Sequence, residues 1–294
     1  MSSPNIEKTI TSRQAFIFKD LKSPYFNPKW HFHPEFQISY IIKGKGTRFI
    51  GDHVQTFKEG DLVLTPPNLP HLWRSEEAYF EKNNPLGTHA MVIYFDQELM
   101  SPPLLRREEF YTLRKLVENA SRGIEFYGST PRDVYRLMQG IPPKKGFKRI
   151  INLLEILEVM ADSETYNLLS SPGYTGVFKT NDAEKMHLVY DYVMKHFTTK
   201  IELQDVADLL NMTTTSFCRY FKPRANKTFT RFVNEIRIGH ARKLLLEDNF
   251  NISQISYECG FNTLSNFNRQ FKSIVEMSPH EYQKLFLNIK AGIS

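Results

Sequence analysis

Apolar residues along this chain keep two different periods, and the change between them divides the sequence. From Phe36 to Phe95 the segments FQISYIIKG, GTRFIG, HVQTFKEGDLVLTPP, HLWR and THAMVIYF are short and rich in aromatic and branched residues. Gly44, Gly46, Gly51, Gly60, Pro66, Pro67 and Pro70 punctuate them as turns. That pattern predicts antiparallel strands. They are expected to close into an all-β barrel or jelly roll, because closure satisfies edges that would otherwise stay open. After Phe95 the period becomes helical, and EEFYTLRKLVENAS, TPRDVYRLMQG and FKRIINLLEILEVMA predict helices appended to the barrel. In the last of these, Ile150, Leu153, Leu154, Leu157 and Met160 form a stripe that reads as internal packing, with a subunit contact as the alternative.

The last third of the chain carries one helical pattern twice. Leu203, Val206, Leu209 and Leu210 give an apolar face that ends at Asn211-Met212. Thr213 and Thr214 can then cap a second helix containing FCRYFK, in which Phe217, Tyr220 and Phe221 face inward. The second copy runs from Ile252 and Ile255 through the turn Cys259-Gly260-Phe261 to FNRQFK, with Asn262, Thr263 and Ser265 as cap candidates. Arg219 and Arg269 are 50 positions apart, as are Lys222 and Lys272. A short helix, a tight turn and an exposed second helix make a helix-turn-helix, whose second helix enters a major groove. Phe229, Phe232, Val233, Ile236, Ala241, Leu244 and Leu245 predict a long helix between the copies, able to hold two probes about 34 Å apart on successive grooves. A helical protein-binding domain is the bland alternative.

Composition adds limits. The 294 residues suffice for two cores, and the formal charge of +6 permits nucleic-acid binding without establishing it. The two cysteines, Cys218 and Cys259, give no disulfide framework. The opening MSSPNIEKTITSRQ has no apolar signal core and no stretch is long enough to span a bilayer, so a cytoplasmic protein without a membrane partner is expected. The expected domains are residues 1–165, a polar linker 166–182 containing SSPGYTG, and an all-α unit 183–294.

With VADLLNMTTTSFCRYFK, NEIRIGHARKLL, ISYECGFNTLSNFNRQFK and SPHEYQ on the page, the segment from about Glu184 to Phe286 resembles the DNA-binding domain of the AraC/XylS family of transcription regulators. The resemblance implies Thr215, Cys218 and Arg219 as base readers, followed by Ser265, Asn268 and Arg269. Arginine can donate twice to guanine, which makes Arg219 the first choice for specificity. Lys222, Arg224, Lys227 and Lys272 read as phosphate contacts or ordinary surface charges. Asn226 and Glu276 stand where the family often has glycine; Asn tolerates positive φ and Glu tolerates it poorly. Family resemblance favours an activator working through RNA polymerase on double-stranded promoter DNA.

In the first half, WHFHPEFQISYIIKGKG and GDLVLTPPNLPHLW resemble the two motifs of a cupin domain of the kind joined to many such regulators. By position His31, His33, Gln37 and His71 match the cupin metal-ligand set, with Gln37 in place of the usual Glu. A neutral amide binds hard cations more weakly than a carboxylate, so a pocket for a small-molecule effector, such as a sugar or small organic compound, is preferred to a transition metal, and no cofactor is expected. Trp30, His31, His33, Gln37, His71 and Trp73 would line it, with Glu35 within reach by strand alternation. The reading is a non-enzymatic, effector-controlled, sequence-specific DNA-binding regulator, with homodimerisation left open. Two alternatives stay open: a cupin metalloenzyme with a DNA-targeting domain, and a constitutive DNA-binding protein whose barrel only dimerises.

Overall fold

The computed structural model describes residues 14–26, 30–82, 85–100, 102–174, 180–247 and 250–291. The backbone divides into two compact units, with the change at Ala183–Glu184. In the first lie β1 (Phe16–Ser23), β2 (Phe36–Lys43), β3 (Gly46–Ile50), β4 (His53–Phe57), β5 (Leu62–Thr65), β6 (His71–Ser75), β7 (Thr88–Phe95), α1 (Pro102–Leu105), α2 (Tyr111–Ala120), β8 (Ile124–Phe126), α3 (Thr130–Gln139), α4 (Phe147–Ala161) and β9 (Tyr166–Leu168).

These strands form two open sheets, of order β1-β7-β2-β5-β8-β9 and β4-β3-β6, and the expected closed barrel is not found. Closure is one answer to exposed edges; this unit uses others. β1 carries exposed Asp20 and Lys22 at one edge, and the opposite edge is a strand of only 3 residues, β9. Register then explains the two-sided core. Ile38 lies opposite Leu64 and Ile93, and with Met91 and Phe95 it packs under Leu116, Val134, Leu153, Ile156 and Leu157 of the helices. The alternate residues Ile41, Val63, Ala90 and Val92 share a core with Ile50, Leu69 and Trp73, which lie in or beside the smaller sheet. A strand covered on both faces reads as a continuous apolar run, and Leu62–Thr65 is buried throughout.

Part of the segment expected as linker is folded into this unit. β9 pairs antiparallel with β8, Ser170 donates to the Ile50 carbonyl, and the Ser171 amide donates to Asp52. Residues 175–179 lie outside the described ones.

The second unit is helical: α5 (Thr180–His196), α6 (Leu203–Leu209), α7 (Thr214–Ala225), α8 (Phe229–Glu247), α9 (Ile252–Glu258), α10 (Leu264–Val275) and α11 (Pro279–Ala291). Phe217, Phe221, Phe229 and Phe232 meet ring to ring and Tyr190 of α5 abuts Phe232 edge-on, which fills the first half of its core. Ile238, Leu245, Ile255, Phe261, Phe267, Phe271 and Tyr282 fill the second half. The long helix α8 packs against both α7 and α10.

Candidate nucleic-acid interface and ligand cluster

Local chemistry sets each helix-turn-helix. At the first turn Asn211 takes φ 54°, and the Met212 amide donates back to the Ala207 carbonyl. Thr213 then caps α7, its hydroxyl accepting from the Ser216 amide at 3.2 Å. In the second copy Asn251 and Gln254 form a reciprocal capping box at the start of α9. Gly260 makes the turn at φ 78°, where a Cβ would lie 2.6 Å from the Phe197 carbonyl oxygen. Thr263 caps α10 by accepting from the Asn266 amide at 3.2 Å.

Burying two phenylalanines per recognition helix decides what faces outward. Phe217, Phe221, Phe267 and Phe271 are fully buried, and Thr215, Cys218, Arg219 and Lys222 on α7 are exposed, as are Ser265, Asn268, Arg269 and Lys272 on α10. All six expected base readers therefore stand on the open faces of the two helices. Two of the expected phosphate contacts are held differently. Arg224 folds back to donate to the Tyr220 carbonyl and lies 3.9 Å over the Tyr220 ring. Lys227 is largely buried and paired with Glu235 at 2.5 Å.

Glu235 also accepts from Arg231, whose guanidinium donates to the Ser273 hydroxyl of α10 at 2.8 Å. This chain of polar contacts ties the turn after α7, the first two turns of α8 and the far end of α10 together. The Arg231–Glu235 spacing of four on a helix is the one sequence signal that could have revealed it. Cys259 is buried, which pushes its thiol up to about 12 and keeps it protonated at neutral pH.

In the first unit His31, His33, Gln37, His71 and Trp73, five of the expected pocket residues, come together. His31 and His71 form an isolated antiparallel bridge, and the rings of His33 and His71 stand edge to face 5.0 Å apart. Trp30, His33, Gln37, His71 and Trp73 are buried and His31 is half-buried. His71 Nδ1 donates to the Leu69 carbonyl at 2.7 Å, and His33 Nδ1 faces the buried Glu35 carboxylate at 3.3 Å, as strand alternation suggested. Both Nε2 atoms converge on the Gln37 side-chain amide, at 2.9 Å and 3.2 Å, and the far side of that amide meets the Ser39 hydroxyl at 2.7 Å.

Burial lowers both imidazoles' affinity for protons, most strongly at His71, where His31 and His33 add to the effect. With both rings neutral and the His71 Nδ1 proton committed to the Leu69 carbonyl, the His71 Nε2 offers a lone pair. The network closes when the Gln37 NH2 turns toward the rings and its oxygen accepts from Ser39. Sequence reading missed Ser39, Tyr94 and Thr65. Tyr94 and Thr65 are the register neighbours of Gln37 on either side, and the Thr65 hydroxyl is buried without a hydrogen-bond partner among the described residues.

The same donor set fits a borderline transition metal. His31, His33 and His71 each offer a nitrogen within 4.8 Å of the others, and Glu35 and the Leu69 carbonyl orient two of the rings from behind. A metal bound at about 2.0–2.1 Å would require the three to draw inward.

A helix-turn-helix domain family matches residues 206–285, and an AraC-like ligand binding domain family matches residues 14–112. The chain is similar to the uncharacterized HTH-type transcriptional regulator YdeC of Bacillus subtilis (strain 168), 24% identical over 264 residues covering 87% of this chain and 86% of that protein. It is similar to the raffinose operon transcriptional regulatory protein RafR of Pediococcus pentosaceus, 23% identical over 284 residues and 94% and 95% of the two chains. The HTH-type transcriptional activator RhaS of Escherichia coli O1:K1 / APEC is 26% identical over 104 residues, 35% of this chain and 37% of that protein. Among the described residues no helix is long and apolar enough to cross a membrane.

Proposed function

We propose that this chain, which belongs to the AraC/XylS family of transcription regulators, reads promoter DNA through α7 and α10 under the control of a small molecule bound at the histidine cluster. Its two domains, one ligand-binding and one helix-turn-helix, are those of non-catalytic DNA-binding regulators. The observation that carries the finer reading is the shared exposure of Thr215, Cys218, Arg219, Ser265, Asn268 and Arg269 on two capped helices braced by α8. Arg219 is the chief base reader, and Lys222 and Lys272 hold phosphates. The effector is a small polar molecule, a sugar being the first class to test. The unsatisfied Thr65 hydroxyl and the amide and imidazole groups of Gln37, His33 and His71 support this, as does a full-length relative named for a raffinose operon. Activation through RNA polymerase is the preferred outcome, since one relative is named as an activator.

Selection of bound fragments from random duplex pools with the full-length chain tests the first part. An enriched site that outcompetes scrambled duplex at physiological salt is expected; equal affinity for both would reject the reading. For the second part, a panel of mono- and oligosaccharides should include one that alters affinity for the enriched site. His71→Ala should remove that response and leave DNA binding in place.

A further inference from the structure

The third residue of α8, Arg231, is poorly placed for the helix that carries it. A cation in the first turn opposes the helix dipole, and α8 holds no acidic residue there to offset it. Arg231 pairs with Glu235 four residues on, at 3.0 Å, but a helix gains more from such a pair when the acid comes first. The benefit lies outside α8. One arm of the guanidinium donates to the Ser273 hydroxyl at 2.8 Å and the other to the Ser273 carbonyl at 3.4 Å, in the last turn of α10. That carbonyl is among the final four of its helix, which find no partner within the helix itself.

Glu235 carries the connection to the other recognition helix. Its second oxygen meets the Lys227 ammonium at 2.5 Å, two residues past the end of α7, and the two side chains are only 14% and 15% exposed. Salt screens such a pair less than an exposed one. A continuous polar line from Lys227 through Glu235 and Arg231 to Ser273 thus joins the C-terminal ends of α7 and α10. Arg237 makes another crossing between the two halves. It donates to the Phe197 and Thr199 carbonyls at 2.7 Å each and lies over the Phe261 ring in the second turn. Apolar packing along α8 is non-directional and lets helices slide and roll. The planar fork of an arginine bonded on both sides resists such motion.

We infer that Arg231, held by Glu235 and Lys227, is a positioning residue that determines specificity: it fixes the separation of α7 and α10, and with it the spacing of the two DNA segments the chain accepts. This rests on the DNA reading above and adds selectivity for distance to selectivity for bases. One base pair moves the second groove by about 3.4 Å along the duplex and about 35° around it. Hydrogen bonds of this kind hold only over about 2.7–3.2 Å. A wrongly spaced site must therefore break the polar line or engage one helix alone.

Competition binding of the full-length chain tests it, using the duplex enriched from random pools and two derivatives. In these the segments read by α7 and α10 stand one base pair closer or farther apart. The wild-type chain should bind either derivative about 100-fold more weakly. Arg231→Ala should hold the original duplex within about fivefold of wild type and cut the penalty on the derivatives to about tenfold. Glu235→Gln should move the penalty the same way, and Arg231→Lys should fall between the alanine variant and wild type. An Arg231→Ala loss equal for all three duplexes overturns the inference. A reduced salt slope would then make the residue a phosphate contact, and a lowered melting temperature a support of the fold alone. A wild-type chain indifferent to spacing overturns it as well. An enriched site with a single block of preferred bases would reject the two-helix reading, and this inference with it.

Discussion

The two helix-turn-helix units are copies in their skeleton and differ in what they offer to solvent. Each recognition helix is 12 residues long, is capped by a threonine that accepts from an amide three residues on, buries two phenylalanines and ends in a left-handed residue. Arg219 in the first stands exposed, whereas Arg269 in the second already donates to the Asn266 side chain at 2.9 Å. The bracing helices differ too, α9 having a capping box and α6 no side-chain cap at Glu202. A duplicated scaffold thus fixes where side chains emerge and leaves each copy free to vary what they do. Skeleton substitutions should therefore act equally on the two units, and outward ones unequally.

The largest effects test the equality. Phe217→Ala and Phe267→Ala should each destabilise the helical unit by about 3–5 kcal/mol in urea titrations followed by far-ultraviolet circular dichroism. A tolerant site in one copy would break the equivalence. Next come the arginines. Arg219→Ala should cost about 1–3 kcal/mol of discrimination at one base position, read by competition between duplexes, and Arg269→Ala less, because its bond to Asn266 must first be given up. Equal losses would show that this bond does not restrain the second reader. Lys222→Ala should weaken all duplexes alike and reduce the salt slope by about 1.

Smaller effects sharpen the contrast in the turns. Asn251→Ala should cost about 1 kcal/mol of stability through the lost capping box, with Glu202→Ala close to neutral. Finally, Asn226 and Glu276 both adopt positive φ, at 52° and 64°. Glycine should stabilise the Glu276 position by about 1 kcal/mol and the Asn226 position by only a few tenths, since asparagine visits this region at little cost.

The helical unit was legible because its surface repeats: Arg219 and Arg269, or Lys222 and Lys272, declare the same geometry twice. Lys227 was not legible in the same way, because its partner Glu235 lies on another element and no local period connects the two. The resemblance to the cupin motifs grouped His31, His33, Gln37 and His71, and strand alternation put Glu35 within their reach. Alternation could not say whether the sheet edges meet, because it records which face is covered and says nothing about where a sheet stops. The continuously apolar Leu62–Leu64 carried the missing hint, since a strand buried on both faces implies layers on each side of it. β9 escaped notice because three residues are too few to establish a period, and its neighbours SSPGYTG read as a connector.

The chain has two tryptophans, Trp30 and Trp73, both buried in the first unit, with the Trp73 indole 5.8 Å from the His71 ring. Indole emission from this protein accordingly originates wholly beside the proposed sensing cluster, while the helical unit is dark at those wavelengths. Since coupling between two binding sites is reciprocal, a shift in that emission on adding operator duplex alone would register the DNA-bound state inside the sensor, without a label or any knowledge of the natural effector.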